Sequence, residues 1–370
     1  MISDSEFPSS VYDQSYSSKD DGVYECKVSS KINIFIFDSL LTAFGLVSGA
    51  LLVTVICYKS NLRSPKYLLL NNLLVVFLLL LILSGIFNTE EAFDPCWRAG
   101  TGLCIAKEIA EPVLTNGVVI FLVAVAIEQF HRYRGLVRPD HLDVRGIQTV
   151  SLLWLAVLVF SIPEVINNIA HTHSTKLEMD NCYIPPRTKA LYYILIIKQV
   201  TLEYFCPVLV LVALLIAISV LSLKSRMAPP PVANNSSGQH PKYFVLVAAL
   251  TSAYAIGYFP RYSFLLANLI FHIQRVTERK EFWQHLQTID TIFALIPPAF
   301  VPLFVMILSR THLETVREFF HHIKVRMSRR GWRPGSMEEN TGEDLESLDI
   351  GMRRVNNHSF QANKNGNHLT

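Results

Sequence analysis

The sequence predicts an all-α membrane protein, a bundle of seven helices that cross the bilayer. Hydrophobic residues make up 51% of the 370 and charged residues only 17%, against roughly 25% charge in soluble domains. That is too little charge to cover a water-facing surface, and mean hydropathy is +0.31. The apolar residues are also gathered into long runs, each reaching the roughly 20 residues a spanning helix needs. A net charge of +3, spread along the chain, does not suit nucleic acid, and a soluble enzyme is excluded on composition alone.

The runs are Ile32–Tyr58, Tyr67–Phe87, Leu103–Phe130, Thr149–Ile169, Ala190–Leu223, Tyr243–Phe271 and Phe282–Leu308. The third and fifth are interrupted by Glu108, Glu111, Lys198 and Glu203. Met1–Lys31 is polar and acidic, so no cleaved leader is expected. Basic residues mark the cytoplasmic loops. Lys59, Arg63 and Lys66 follow the first run, Arg132, Arg134, Arg138 and Arg145 the third, and Lys224, Arg226 and Lys242 the fifth, while Arg310, Arg317 and Lys324 follow the last. This bias puts the N-terminus outside and the C-terminus inside, in a multi-pass protein of the plasma membrane. Sequons at Asn234, Asn235 and Asn357 then lie inside and are expected to stay unused. Residues 1–31 form an outer segment and 32–325 the membrane domain. From 326 to 370 the chain is polar, without apolar periodicity, and is expected to be a disordered cytoplasmic tail.

Of six cysteines, Cys57 and Cys206 lie within apolar runs and are expected to pack. Cys26, Cys96, Cys104 and Cys182 all fall on the outer, oxidising side. Four cysteines allow three pairings, and the Cys96-x7-Cys104 spacing is not that of a zinc knuckle. No metal or other cofactor is expected.

Local motifs in this order and spacing resemble those of the rhodopsin-like G-protein-coupled receptors. Trp97-Arg98-Ala99-Gly100-Thr101-Gly102-Leu103-Cys104 is similar to the W-x-x-G-x-x-x-C lead into that family's third helix. Leu62-Arg63-Ser64-Pro65-Lys66-Tyr67 is similar to the start of helix two in odorant receptors. Trp154 and Pro207 sit where helices four and five keep these residue types. Tyr254-x-x-x-Tyr258-Phe259-Pro260 resembles the helix-six switch, and Pro302 followed by Arg310–Lys324 resembles the end of helix seven and a short amphipathic eighth helix. The resemblance covers residues 32 to 324. It implies a bridge between Cys104 and Cys182, leaving Cys26 to pair with Cys96.

The departures carry information too. Ala50 stands where the family has Asn, Val76 where an Asp helps hold sodium, and Val301-Pro302-Leu303-Phe304-Val305 where N-P-x-x-Y is usual. Sodium dependence is therefore not expected. For the D-R-Y motif two registers remain open. Glu128-Gln129-Phe130 keeps the acid, and His131-Arg132-Tyr133 keeps the arginine; Glu128, Arg132, Tyr133 and Arg134 are the candidates for the G-protein-facing end.

Ionisable groups inside a span are costly and face a cavity or a partner. Glu111 lies seven residues past Cys104, where the resemblance implies an acid that binds ligand amines. Glu203 precedes Pro207 by four, Arg261 follows Pro260, and Asp290 lies in the last run. With Tyr258 and Tyr262 these are the candidate ligand-binding residues. The competing reading is an internal ion pair, for example Glu203 with Arg261, or Glu111 with Arg261 in place of a ligand cation. Glu108 and Lys198 are expected to snorkel outward.

The function expected from the resemblance is a receptor that binds an extracellular small molecule or peptide, odorant-type being the nearest flavour, and signals through a heterotrimeric G protein. Arrestin on the tail and membrane lipids are further expected partners. A transporter or channel without G-protein coupling is the alternative; it would predict duplicated halves, and no internal repeat is found. No H-E-x-x-H, no in-span G-x-S-x-G and no paired aspartates speak for an enzyme.

Overall fold

A helix that is apolar on every side has no face to give to water, so its polar backbone is satisfied internally and its side chains meet lipid or other helices. The computed structural model describes residues 32–63, 67–93, 101–134, 142–174, 189–227, 240–274 and 280–329. Cys26, Cys96, Cys182, Trp97, Pro65, the three sequons and the tail from residue 330 lie outside the described residues, and so does the side chain of Tyr133.

The seven expected runs are all helical; the first coincides with its helix, and the helices of the other six extend past at least one end of their runs. They are α1 (Ile32–Tyr58), α2 (Leu68–Phe93), α3 (Thr101–Tyr133), α4 (Leu142–Ser174), a composite fifth span, α7 (His240–Gln274) and α8 (Lys280–Leu308). The fifth is made of α5 (Lys189–Lys198), a π-helical segment Gln199–Phe205 and α6 (Cys206–Met227). Six of the seven are apolar and long enough to cross a membrane unaided; the seventh, Ile292–Leu308, meets a break at Ser309. At 17 residues it rises about 26 Å, close to the hydrocarbon thickness. Among the described residues there is no strand.

The helices pack around a core that includes Phe77, Phe121, Leu250, Tyr254 and Val301. Leucines and isoleucines such as Leu40, Leu152, Leu209 and Ile256 point outward and are more than half exposed, the inversion expected when the solvent is lipid. Val76 is fully buried, its methyls 3.1 Å from where a Cβ on Gly117 would stand; the family's sodium-holding position here packs against α3. Trp154 donates its indole N–H to Asn72 Oδ1 at 3.2 Å and meets Phe121 edge-on, tying α4 to α2 and α3. A Cβ on Gly257 would stand 2.2 Å from Pro297 Cγ; glycine lets α7 close on the proline pair of α8.

After Ser309 the amphipathic α9 (Arg310–Arg329) begins, and it runs five residues beyond the expected Lys324. Its first turns rejoin the bundle. Tyr67 donates to Thr311 Oγ1 at 3.2 Å, Lys59 pairs with Glu318 at 2.7 Å, and Tyr58 meets Phe319 edge-on. Residues 320–370 form a separate compact unit; in its described part the exposed rings of His321 and His322 meet edge to face, 6.4 Å apart.

His312 is fully buried, edge-on to Tyr67, with Nδ1 2.7 Å from Ser309 Oγ, while Nε2 has no partner among the described residues. Burial pushes its pKa down from 6.5 to about 4. The neutral ring is therefore the folded form, and its contribution is fully present above pH 6.5 and is lost as pH falls toward 4. Replacing it by Phe (His312→Phe) should flatten the fall in melting temperature between those pH values. An unchanged slope would show that His312 does not carry it.

Candidate functional site

The candidate residues separate into three groups. Cys104, near the start of α3, is buried and disulfide-bonded; its partner lies outside the described residues. Glu111 follows by seven residues, about 10 Å along the helix. Its carboxylate accepts a hydrogen bond from Arg261 Nη2 of α7 at 3.0 Å, with both side chains about 30% exposed. Asp290 of α8 and Tyr258 lie within the field of Arg261. Among the described residues, Asp290 Oδ1 and the Tyr258 hydroxyl have no hydrogen-bond partner. One guanidinium thus binds one carboxyl group and lies in the field of another from a separate helix, with Lys107 also acting on Glu111. Such a group can accept a second cation or exchange one partner for another.

Glu203 does not meet Arg261. It belongs to a second cluster with Lys198, whose Nζ lies 2.9 Å from Glu203 and 2.9 Å from Glu164 of α4. Lys198 does not snorkel outward; its side chain is 13% exposed. Gln199 donates to Glu164 at 3.3 Å, Asn116 of α3 donates to Ser161 at 3.0 Å and to Glu164 at 3.5 Å, and the Tyr262 hydroxyl donates to Glu203 at 3.4 Å. Glu108 is also held inward, where Asn168 donates to its carbonyl at 2.8 Å and its carboxylate at 3.3 Å.

Two of these contacts follow from prolines. Pro112 lacks an N–H, so the Glu108 carbonyl four residues before it loses its helical donor; at the change from π to α turns, Pro207 likewise can serve neither the Leu202 nor the Glu203 carbonyl. Asn168 supplies the donor for Glu108, and the hydroxyl of Tyr254 supplies one for Glu203. The backbone before Pro207 has widened into π turns, with Cys206 N–H bonded to the Thr201 carbonyl. Tyr204 from the same segment donates to the Ala255 carbonyl at 2.8 Å and stacks on Tyr262 at 4.8 Å.

At the other end of α3, Arg132 donates through Nε to Glu128 at 3.1 Å and through Nη2 to the same oxygen. Acid and arginine are thus joined one turn apart on a single helix, a favourable order. Arg134 lies over the Phe130 ring at 5.1 Å.

Glu164, Lys198, Gln199 and Asn116 were not among the candidates from sequence. The available signal was Glu164 itself, an ionisable residue inside an apolar run. A groove of about 370 Å³ between α2 and α3, lined by residues including Leu79, Ile82, Phe87 and Val113, is apolar throughout and has none of these charged groups in its lining. Among the described residues no cluster of His, Cys, Asp or Glu is arranged to hold a metal.

Residues 49–318 match the family model described as 7 transmembrane receptor (rhodopsin family). The chain is also similar to the allatostatin-A receptor of Bombyx mori, 28% identical over 142 residues. That stretch is 37% of this chain and 38% of that receptor's length, so the chain spans well under half of the curated relative it matches. The family is one of receptors and not of enzymes, and its match takes in well over half of the sequence. With spanning helices in the expected order, the chain is a multi-pass membrane protein and belongs to the rhodopsin family of seven-transmembrane receptors.

Proposed function

We propose that the protein is a plasma-membrane receptor that takes an extracellular ligand at the Glu111–Arg261–Asp290 cluster and signals through a heterotrimeric G protein at the end bearing Glu128, Arg132, Tyr133 and Arg134. The observation that carries this reading is the polar cluster at the Cys104 end. Glu111 pairs with Arg261 and also feels Lys107, Asp290 lies within the field of the same guanidinium, and an oxygen of Asp290 and the Tyr258 hydroxyl have no hydrogen-bond partner among the described residues. A peptide bearing hydrogen-bond donors or a basic group fits those unpartnered oxygens, and the similarity to a peptide receptor favours a peptide. An odorant-type small-molecule ligand is the second reading, resting on Leu62–Tyr67 and its likeness to odorant receptors. Arrestin would engage the 326–370 tail, and lipids would cover the outward leucines.

For the ligand site, Glu111→Gln is nearly isosteric and should reach the cell surface. Loss of one charge-assisted contact, worth about 1.5–3 kcal/mol, should weaken the response to a cationic agonist from a peptide panel by about tenfold or more. Retained expression with an unchanged dose-response would remove Glu111 as a ligand contact.

Orientation follows from the basic loops, with residues 1–31 outside and the tail inside, and the bridges proposed are Cys104–Cys182 and Cys26–Cys96. A tag before Phe7 should be reached on intact cells and a tag after Gly351 only after permeabilisation. Cys104→Ala and Cys182→Ala should lower surface expression equally, by the loss of about 2–5 kcal/mol typical of a native bridge. A reversed tag pattern, or full expression of Cys182→Ala alone, would contradict the arrangement.

A further inference from the structure

Glu164, Lys198 and Glu203 form a triad whose charges do not balance. Lys198 Nζ sits 2.9 Å from an oxygen of each carboxyl, and the two glutamate side chains are 4% and 6% exposed. The other described side chains that hydrogen-bond to them are neutral. Asn116 comes from α3, Ser161 from α4, Gln199 from the π segment, and Tyr254 and Tyr262 from α7. Arg261, next to Tyr262 in sequence, is bound to Glu111 instead. Among the described residues no second cation touches either carboxyl. Two carboxylates and one ammonium would leave an excess negative charge inside the membrane, which is relieved when one carboxyl takes up a proton. Both carboxyl groups converge on the same ammonium, each 2.9 Å from it, and like charges gathered around one point oppose each other.

We propose that Glu164 and Glu203 share one exchangeable proton, so that the triad is a proton-binding site at the junction of α4, the π segment and α7. The ligand is the proton itself: an O–H bond forms on one carboxyl, hydrogen-bonded to the other, and Lys198 keeps its charge. Glu203 has its carbonyl held by Tyr254 and its carboxyl by Tyr262. Proton occupancy therefore alters how α7 grips the bend of the fifth span. Acidification fills the site and stabilises the packing seen here, and a packing that hydrates the triad releases the proton. The charge count, and not the ligand reading above, supports this site.

The test is infrared spectroscopy of the full chain in lipid nanodiscs at neutral pH, following the carboxylic C=O stretch and its shift in D2O. The wild type should show a protonated-carboxyl band that Glu164→Gln and Glu203→Gln each abolish, because the remaining carboxylate is then balanced one to one by Lys198. Lys198→Met, which removes the triad's cation, should instead raise that part of the band about twofold. Asp38→Asn, which changes a buried acid on α1, serves as the control for other carboxyls and should leave this part unchanged. Either single Gln variant suffices if the other fails to fold. A band untouched by both substitutions, removed by only one of two folded variants, or absent from the wild type would overturn the proposal.

Discussion

The hydrogen bond from the Tyr254 hydroxyl to the Glu203 carbonyl is the contact on which the arrangement of the fifth span depends. In lipid a backbone carbonyl has no water to turn to, and Pro207 cannot return an N–H to residue 203. The chain meets this by widening into π turns over Gln199–Phe205 and by borrowing a donor from α7. The same logic recurs at Pro112, where Asn168 of α4 caps the Glu108 carbonyl. Each proline bend is thereby a cross-helix bond as well as a break, and the bends fix which faces of α3, α4 and α7 come together.

The π turns also decide the partners of the buried charges. One residue inserted into a helix rotates the remainder of that helix by about 100°, enough to move a side chain from one neighbour to another. Here Glu203 faces Lys198 and Glu164, and Arg261 is left for Glu111. Two clusters result where the sequence suggests a single ligand pocket. The Glu111–Arg261 pair is nearly a third exposed and stands beside unpartnered oxygens, while the Lys198 triad is closed over by neighbouring helices. Pairing of buried charges is weak evidence for stability in itself; its effect here is on register, since removing a partner strands a charge.

Much of the bundle was legible because it rests on length and apolar content: seven runs, Pro207, Pro260, Pro302, Trp154 and Cys104 all stand on the elements expected for them. The individual charges Glu111, Glu203, Arg261 and Asp290 were legible as intramembrane groups. Of their pairings, Glu111 with Arg261 stood among the alternatives and Glu203 with Lys198 did not. A π turn inside a continuous apolar run leaves no trace in periodicity, so the rotation of Glu203 toward Lys198 could not be read. Glu164 escaped notice because it directly follows Pro163 near the end of an otherwise uncharged run. The two registers around Glu128 and Arg132 stayed open because a turn of helix separates acid from arginine, and only the structure shows the two bonded to each other.

The measurement that tests this account most directly is a double-mutant cycle on Tyr254 and Pro207, read as thermal stability of the purified chain. Tyr254→Phe removes only the hydroxyl and should cost about 1–3 kcal/mol by leaving the Glu203 carbonyl buried without a donor. In the background of Pro207→Ala, which restores an N–H to the helix, the same change should cost close to nothing. Equal costs in both backgrounds would mean that the proline does not create the need that Tyr254 meets, and the central claim would be contradicted.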